Sequence, residues 1–184
     1  MISLLNLFPS PTVNSQSQEL VDDSMRQYLA DAINEASSFN NRYAAEVWLV
    51  DMSLRLAPYI GDQLDRIELL QTVHREASRT GLSPELVLSV IHTESTFDQY
   101  AVSRAGAQGY MQIMPFWKFE IGQEDDNLTD METNIRYGTS ILSYYIKKEE
   151  GNLDRALARY NGSYGKLWYP RRVIKRWDKF WRVP

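Results

Sequence analysis

Apolar residues recur every three or four positions along most of the chain, which is the spacing that an amphipathic α-helix needs to bury one face. Before residue 81 this spacing forms three stripes, at positions 21–36, 45–59 and 67–77. Helix-breaking residues end them in turn, namely Asn40-Asn41, then Pro58 and Gly61, then Gly81. The pattern therefore predicts a mainly α-helical fold that opens with three packing helices.

The helical spacing breaks down between residues 100 and 122. Three glycines and one proline interrupt this stretch, namely Gly106, Gly109, Pro115 and Gly122. Between them, small, polar and apolar side chains alternate, and such alternation predicts short extended segments or tight turns. We therefore expect a small irregular or short-β region near residues 100–122.

Helical spacing resumes after this region. Thr129 and Glu132 have the spacing of a capping box, which predicts a helix start, and Gly151 is placed to end that helix. A short helix is predicted from Asp154 to Tyr160. Pro170 is expected to open a terminal helix, because proline is favoured at the first helical position.

The segment after Gly165 is basic and carries three tryptophans, a composition typical of nucleic-acid or membrane binding. Its apolar residues nevertheless share one helical face, formed by Val173, Trp177, Phe180 and Trp181. This spacing favours a terminal helix docked on the core with its basic residues outside. A supplementary role against an anionic polymer or phospholipid surface stays open.

The length of 184 residues fits one globular unit with a helical extension. Residues 1–18, rich in Pro, Ser, Asn and Gln, are expected to form a disordered lead-in. Residues 19–80 are expected to form an N-terminal helical extension packed on the core, and residues 81–184 the main domain. The first residues include a short apolar run but no basic residues and no small-residue cleavage site, so we expect no signal peptide.

Composition excludes several classes of function. The net charge of −4 gives no field that favours nucleic acid, and no apolar stretch has the length of a membrane span. Cysteine is absent, which removes thiol nucleophiles, disulfides and thiolate metal sites. His74 and His92 match no metal-ligand pattern, and the acidic run Glu124-Asp125-Asp126 lacks the other ligands of a calcium loop. We therefore expect no metal and no organic cofactor.

Glu94 is the strongest candidate for chemistry. Ser83 as N-cap and Pro84 at the first helical position predict a helix start. On that helix Glu94 follows Val90 and Ile91 on one apolar face, where desolvation raises the pKa of a carboxyl group. A carboxylic acid still protonated near neutral pH can give a proton to a leaving oxygen. A solvated or ion-paired glutamate fits the same position, so the stripe alone leaves both interpretations open.

Five motifs follow one another along the chain: Glu94-Ser95, Ser103-Arg104-Ala105-Gly106-Ala107, Gly109-Tyr110-Met111-Gln112-Ile113-Met114-Pro115, Asn134 with Gly138, and Ala158-Arg159-Tyr160-Asn161-Gly162. In this order and spacing they resemble the soluble-lytic-transglycosylase-like catalytic domain of bacterial cell-wall enzymes. The resemblance extends from about Leu82 to Tyr169. Each motif alone is a weak signal, and their combination is a strong one.

The resemblance implies a lysozyme-like, mostly helical fold for residues 81–184, with a cleft that holds a glycan strand of peptidoglycan. It implies cleavage of the β-1,4 bond between N-acetylmuramic acid and N-acetylglucosamine without water, which leaves a 1,6-anhydromuramyl end. Glu94 would act as acid and then as base. A single carboxyl group can suffice because the N-acetyl carbonyl of the sugar can replace the second one.

The resemblance also implies substrate-binding positions. Ser103, Gln112 and Met114 match positions that line the cleft, and Tyr160 matches one whose hydroxyl lies close to the acid; Asn161 follows it. Gln112 offers an amide that can bind sugar groups from both ends. Met114 in the core and Tyr160-Asn161 as a plain helix end are the alternative interpretations.

Two positions depart from the family pattern. Tyr110 stands where leucine is more frequent, and Arg159 where alanine is common. The long cationic side chain of Arg159 either faces solvent or reaches an anionic stem peptide. Both departures concern substrate preference, because neither is a residue of the expected proton chemistry.

Two other functions compete with the transglycosylase. A hydrolytic muramidase on the same fold would need a second carboxylate, such as Asp98, to position a water. A murein-binding module without turnover would need no buried acid. The implied substrate places the protein in the periplasm or cell envelope, and the N-terminal helices offer a docking surface for an unnamed protein partner.

Overall fold

The computed structural model describes residues 42–183, so the predicted lead-in at 1–18 and the first apolar stripe at 21–36 lie outside the described residues. The described helices are α1 Arg42–Leu56, α2 Gln63–Thr80, α3 Pro84–Glu94, α4 Trp117–Ile121, α5 Met131–Lys148, α6 Leu153–Tyr160 and α7 Trp168–Arg176, followed by a π-helical turn Trp177–Trp181. No strand occurs between residues 42 and 183. The predicted mainly α-helical fold is confirmed.

The predicted end of α2 and the predicted start of α3 are confirmed, because local capping decides both. Gly81 ends α2 in the left-handed conformation, with φ of 71°. Ser83 begins α3, where its hydroxyl accepts a hydrogen bond from the Leu86 amide. Gly81 and Ser83 thus determine the short turn that connects α2 to α3.

The predicted start of α5 is wrong by one residue. Asp130, not Thr129, is the N-cap, and its carboxylate accepts a hydrogen bond from the Thr133 amide at 2.9 Å. The Thr129 hydroxyl instead donates to the Asn127 side chain at 2.8 Å. The turn at Asn127 occupies the Thr129 hydroxyl, so Thr129 does not cap the helix. Asp130 takes the capping position because Asp is at least as good an N-cap as Thr.

The last two helices begin earlier than predicted. Asn152 caps α6, so that helix starts at Leu153 rather than Asp154. The terminal helix α7 starts at Trp168, and Pro170 occupies its first turn. Proline is tolerated there because the first amides of a helix have no intrahelical acceptor.

One hydrophobic core unites the described helices. The helix α3 is buried without interruption from Leu86 to His92 and contacts α2, α7 and the π-helical turn. On another side, α2 and α6 pack on α5. Both α1 and α2 contribute buried residues to this core, so the described part of the predicted extension packs on the rest. The domain boundary at residue 80 stays a prediction.

The terminal helix docks by the face that its spacing indicates. Val173 and Trp181 are fully buried, and the Trp181 indole donates to Nδ1 of His92 at 3.2 Å. Burial lowers the pKa of His92 to about 4, and Arg176 adds to this effect. A neutral His92 can accept the hydrogen bond from the indole N–H, so this buried histidine has a structural role in packing.

The region predicted to be irregular, residues 100–122, begins after α3. It contains two isolated β-bridges, Val102 with Gln108 and Gln108 with Ile113, rather than a sheet. Its last part forms the short helix α4, Trp117–Ile121, which the sequence did not predict. None of the helices in the described part of the chain is long and apolar enough to span a membrane.

Candidate active site

The six residues singled out from the sequence line one cavity of about 250 Å³, namely Glu94, Ser103, Gln112, Met114, Tyr160 and Asn161. They come from three places. Glu94 is the last residue of α3, three residues belong to the irregular region, and two stand at the end of α6. Ala105, Trp117 and Ile141 complete part of the wall. The fold thus brings together every predicted site residue, and we call this cavity the Glu94 cleft.

The carboxyl group of Glu94 is held by uncharged donors. The Tyr169 hydroxyl donates to Oε1 at 2.5 Å, and the Asn161 side chain forms a second hydrogen bond. Burial raises the pKa of Glu94 to about 7, although both hydrogen bonds and the charge of Arg172 act to lower that pKa. Desolvation wins, because neutral donors stabilise a carboxylate less than a contacting cation does.

Tyr169 is a site residue that the sequence analysis missed. It lies in the first turn of α7 and is almost completely buried. Burial, together with the negative charge of Glu94, raises the pKa of Tyr169 well above its ordinary value, so its hydroxyl keeps the proton that it donates. Tyr169 and Val173 are four residues apart on the docked face, and a buried tyrosine needs a partner for its hydroxyl. The four-residue spacing between Tyr169 and Val173 was the sequence signal that could have identified Tyr169 as a buried residue.

The resemblance implies that the Tyr160 hydroxyl lies close to the acid. In the structure this hydroxyl donates a hydrogen bond to the Met111 carbonyl at 2.8 Å. Burial raises the pKa of Tyr160, and the charge of Glu94 contributes, so the two groups are near each other. Tyr160 therefore ties the end of α6 to the irregular region beside the acid.

Asn134 on α5 holds the irregular region in place. Its buried side chain accepts from the Met111 amide at 2.7 Å and donates to the carbonyls of Gln108 and Leu128 at 2.8 and 2.7 Å. Gly109 has φ of 74°, and a Cβ there would lie 2.4 Å from the Asn134 amide nitrogen. The motif residues Asn134 and Gly109 thus act as a lock that shapes one wall of the cleft.

The Gln112 side chain forms hydrogen bonds within its own loop that were not predicted. It has a positive φ of 51°, and its amide nitrogen donates to the carbonyls of Ala101 and Gly109, both at 3.0 Å. The prediction that both ends of the amide can grip a ligand is therefore wrong, and the carbonyl oxygen is the end that can meet one. The Ser103 hydroxyl accepts from the Ala107 amide at 3.0 Å, which leaves its proton for a ligand.

Glu94 has no carboxylate companion among the described residues that line the cleft. Asp98 lies in a separate cavity of about 600 Å³ with Asp65 and Glu68, and its side chain accepts from the Tyr100 amide at 2.9 Å. A second carboxylate for a hydrolytic mechanism is therefore absent from the described wall. Residues 42–183 also hold no cluster of three or more acidic or histidine side chains suited to a metal ion.

The two departures from the family pattern lie outside the Glu94 cleft. The Arg159 guanidinium forms an ion pair with the buried Glu149 and stands 3.9 Å from the ring of Tyr164. Arg159 was predicted either to face solvent or to reach a stem peptide. In the structure it instead forms an ion pair within the protein. Tyr110 is buried in the wall of the cavity that contains Asp98.

The transglycosylase SLT domain family matches residues 71–178, more than half of the chain. The chain belongs to this family. Curated relatives include the membrane-bound lytic murein transglycosylase C of Yersinia pestis (strain Pestoides F) and that of Yersinia pseudotuberculosis (serotype O:1b, strain IP 31758). Each is 34% identical over 114 residues, which cover 53% of this chain and 32% of the relative. The chain spans about a third of the length of these relatives.

Solved structures that match this chain in part include two lytic transglycosylases. One is the lytic transglycosylase Slt of Pseudomonas aeruginosa, with 23% identity, a TM-score of 0.47 and coverage of 79% of this chain and 31% of that one. The other is the 70-kDa soluble lytic transglycosylase of Escherichia coli, with 24% identity, a TM-score of 0.44 and coverage of 85% and 27%.

The SLT domain match spans all the motifs from Glu94 to Gly162 and extends beyond Tyr169. Within this SLT domain, one protonatable group stands over a small cavity with polar and apolar walls. With a pKa of about 7, Glu94 can both release and accept a proton near neutral pH. The arrangement suits a reaction in which one group gives a proton to one oxygen and takes a proton from another.

Proposed function

We propose that this chain is a peptidoglycan lytic transglycosylase. It cleaves the β-1,4 bond between N-acetylmuramic acid and N-acetylglucosamine and leaves 1,6-anhydromuramyl ends. The observation that carries the proposal is the lone Glu94 carboxyl, whose pKa is raised to about 7 in a cavity with no second described carboxylate. Membership of the SLT domain family and the name of the curated relatives support the same activity.

In the first step Glu94 acts as a general acid. Its proton passes to the glycosidic oxygen while the bond from that oxygen to C1 of the muramyl sugar breaks, and the oxygen keeps the electron pair. The carboxylate that remains is stabilised by the hydrogen bonds from Tyr169 and Asn161 and by the charge of Arg172. Their effect grows as the proton leaves, so they favour the transition state over the ground state.

In the second step the same carboxylate acts as a base. It takes the proton of the C6 hydroxyl, whose oxygen then bonds to C1 and closes the anhydro ring. The N-acetyl carbonyl of the sugar can stabilise the positive charge at C1 between the steps, as in substrate-assisted glycosidases. Glu94 ends the cycle protonated and ready for the next bond, and no water is consumed.

Five residues of the cleft would position the sugars. The Ser103 hydroxyl and the Gln112 carbonyl oxygen offer one donor and one acceptor, while Met114 gives adaptable apolar contact. Tyr160 offers a ring surface beside the acid. Asn161 binds Glu94 and lines the cleft, so it links substrate position to the acid.

The reaction is tested with purified sacculi and mass spectrometry of the released muropeptides. The transglycosylase gives anhydro ends, whereas a hydrolytic muramidase gives products heavier by one water. Binding to sacculi without any release would indicate a murein-binding module instead. Either of these two results would overturn the proposal.

The substrate also sets the place of action. Murein is found in the bacterial cell envelope, and the curated relatives are named as membrane-bound murein enzymes. We propose that this chain acts in the envelope and, more finely, in the periplasm. Fractionation of the native cells, with an antibody against the chain, tests the location.

A further inference from the structure

A second cavity of about 610 Å³ adjoins the Glu94 cleft. Trp117 and Ile141 line both, so the two spaces share a wall at the start of α4 and the middle of α5. The second cavity is further lined by Arg79, Arg136, Tyr144 and Lys148, together with Tyr137 and Tyr145. Its volume lies in the range of pockets that hold small organic ligands. We call it the basic cavity.

The basic cavity differs from the Glu94 cleft in charge. Its described lining includes two arginines and a lysine against the single carboxylate of Glu120. Lys148 stands 5.5 Å from the ring of Tyr144, which is half exposed. Aromatic walls with an excess of cations suit a ligand that combines apolar groups with carboxylates.

A buried glutamate orients the guanidinium groups of this cavity. The Glu76 side chain is 2% exposed and pairs with Arg79 at 2.6 Å and with Arg136 at 3.4 Å. Arg79 also donates to the Ser140 hydroxyl at 2.8 Å. The side chain of Arg136 remains 61% exposed, so most of its five N–H donors are available to a ligand. Such fixed cations lose less conformational entropy on binding than free ones.

We propose that the basic cavity binds a carboxylate-bearing peptide arm of the same glycan strand whose sugars lie in the Glu94 cleft. This inference rests on the proposed function, because peptidoglycan strands carry short acidic peptides beside the sugars that are cleaved. The shared wall at Trp117 and Ile141 connects the sugar site to the cations. The cations of the basic cavity complement the carboxylates of the peptide arm. The continuity of the basic cavity with the Glu94 cleft indicates that this arm belongs to the strand bound in the cleft.

The test measures binding of the full chain to two forms of soluble glycan strand. One form keeps its peptide arms, and the other has lost them by amidase treatment. All proteins carry Glu94→Gln, so that binding is measured without turnover. In this background Arg136→Gln is expected to weaken binding of peptide-bearing strands about fivefold, as loss of a partly exposed charged contact does, and to leave binding of stripped strands unchanged.

Arg75→Gln is the matched control. Arg75 contacts the same buried Glu76 at 3.7 Å and pairs with Glu132, but it does not line the basic cavity. It is expected to leave both affinities unchanged. Thermal melting of both variants checks that the Glu76 cluster survives, and Arg136→Lys, which keeps the charge, is expected to recover part of the affinity.

Equal weakening by Arg75→Gln and Arg136→Gln, or equal weakening on both strand forms, would overturn the inference. Absence of any preference of the Glu94→Gln protein for peptide-bearing strands would also overturn it. The proposed function fails separately, when wild-type protein releases no anhydro product from sacculi. A preference for peptide-bearing strands that depends on Arg136 would then still stand as a binding property of the cavity.

Discussion

Two glutamates in this molecule, one buried and one partly buried, have opposite surroundings. Glu149, which follows α5, has a side chain 3% exposed and forms ion pairs with Arg155 and Arg159. Glu94, at the end of α3, is bound by the neutral groups of Tyr169 and Asn161, with Arg172 only as a nearby charge. Guanidinium partners compensate the buried charge of Glu149 and make that residue structural. Neutral partners leave the pKa of Glu94 at about 7, which suits proton transfer.

The largest expected effect is the loss of activity in Glu94→Gln, which distinguishes Glu94 from Glu149. Glu94→Gln removes the only described carboxyl of the cleft and should lower muropeptide release from sacculi by about a thousandfold, as loss of a general acid does. Circular dichroism should show an unchanged fold, because Gln keeps the shape. Full activity in this variant would refute the role of Glu94.

The same variant should be more stable than wild type at high pH. In the folded chain the pKa of Glu94 is about 7, against 4.5 as its ordinary value, so the folded state holds the proton longer than the unfolded state. The stability of wild type should therefore fall as pH rises from about 4.5 to about 7 and then level off. Gln does not titrate, so Glu94→Gln should exceed wild type by on the order of 3 kcal/mol at pH 8.

Urea unfolding at several pH values measures this difference. Below about pH 4.5 the two proteins should have nearly the same free energy of unfolding, since both side chains are then neutral. A constant difference from pH 4 to pH 8 would show that the Glu94 carboxyl is not desolvated in the folded state.

Glu149→Gln should produce the opposite pattern. It breaks ion pairs with two arginines that keep partial access to solvent, and the expected loss of stability is about 2 kcal/mol. Release of muropeptides at 25 °C should stay at the wild-type level. The neighbouring Glu150 is exposed, so Glu150→Gln is the control and should change stability by less than about 0.5 kcal/mol. Equal losses in both variants would contradict a special role of the buried pair.

The smallest expected effect is a shift in the pH profile of Tyr169→Phe. Muropeptide release by wild type should fall as pH rises through about 7, because the acid must begin protonated. The Tyr169 hydrogen bond lowers the pKa of Glu94, so removing it should move this alkaline limb to higher pH. Tyr160→Phe, whose hydroxyl binds Met111 instead, should slow the reaction without moving the limb. A limb that moves equally in both variants would contradict the assignment.

Local signals accounted for most of the fold. Gly81 and Ser83 marked helix ends correctly because their conformations and hydrogen bonds involve residues within four positions. The start of α5 was misplaced, since two residue types that both favour caps stand side by side at Thr129 and Asp130. Choosing between them depends on the Asn127 turn, whose geometry is not encoded in residue preference alone.

The predicted residues of the site share one cleft, but their bonds could not be predicted. Gln112 binds the backbone of its own loop, and Tyr160 binds Met111, because the folded loop brings those carbonyls within reach. Arg159 finds Glu149 ten positions earlier, on a different helix end. Each of these contacts joins groups whose approach depends on helix packing rather than on spacing in the sequence.

The sequence by itself determined the helical spacing, the end of α2, the start of α3, and the ordered motifs that place the chain in its family. Only the tertiary structure decided that Tyr169 from α7 meets Glu94, 75 residues away, and that Asp98 faces a different cavity. The physical reason is range: helix caps and apolar stripes depend on neighbours along the chain. The pKa of a carboxyl group depends instead on everything that excludes water from it, and that is set by the packed fold.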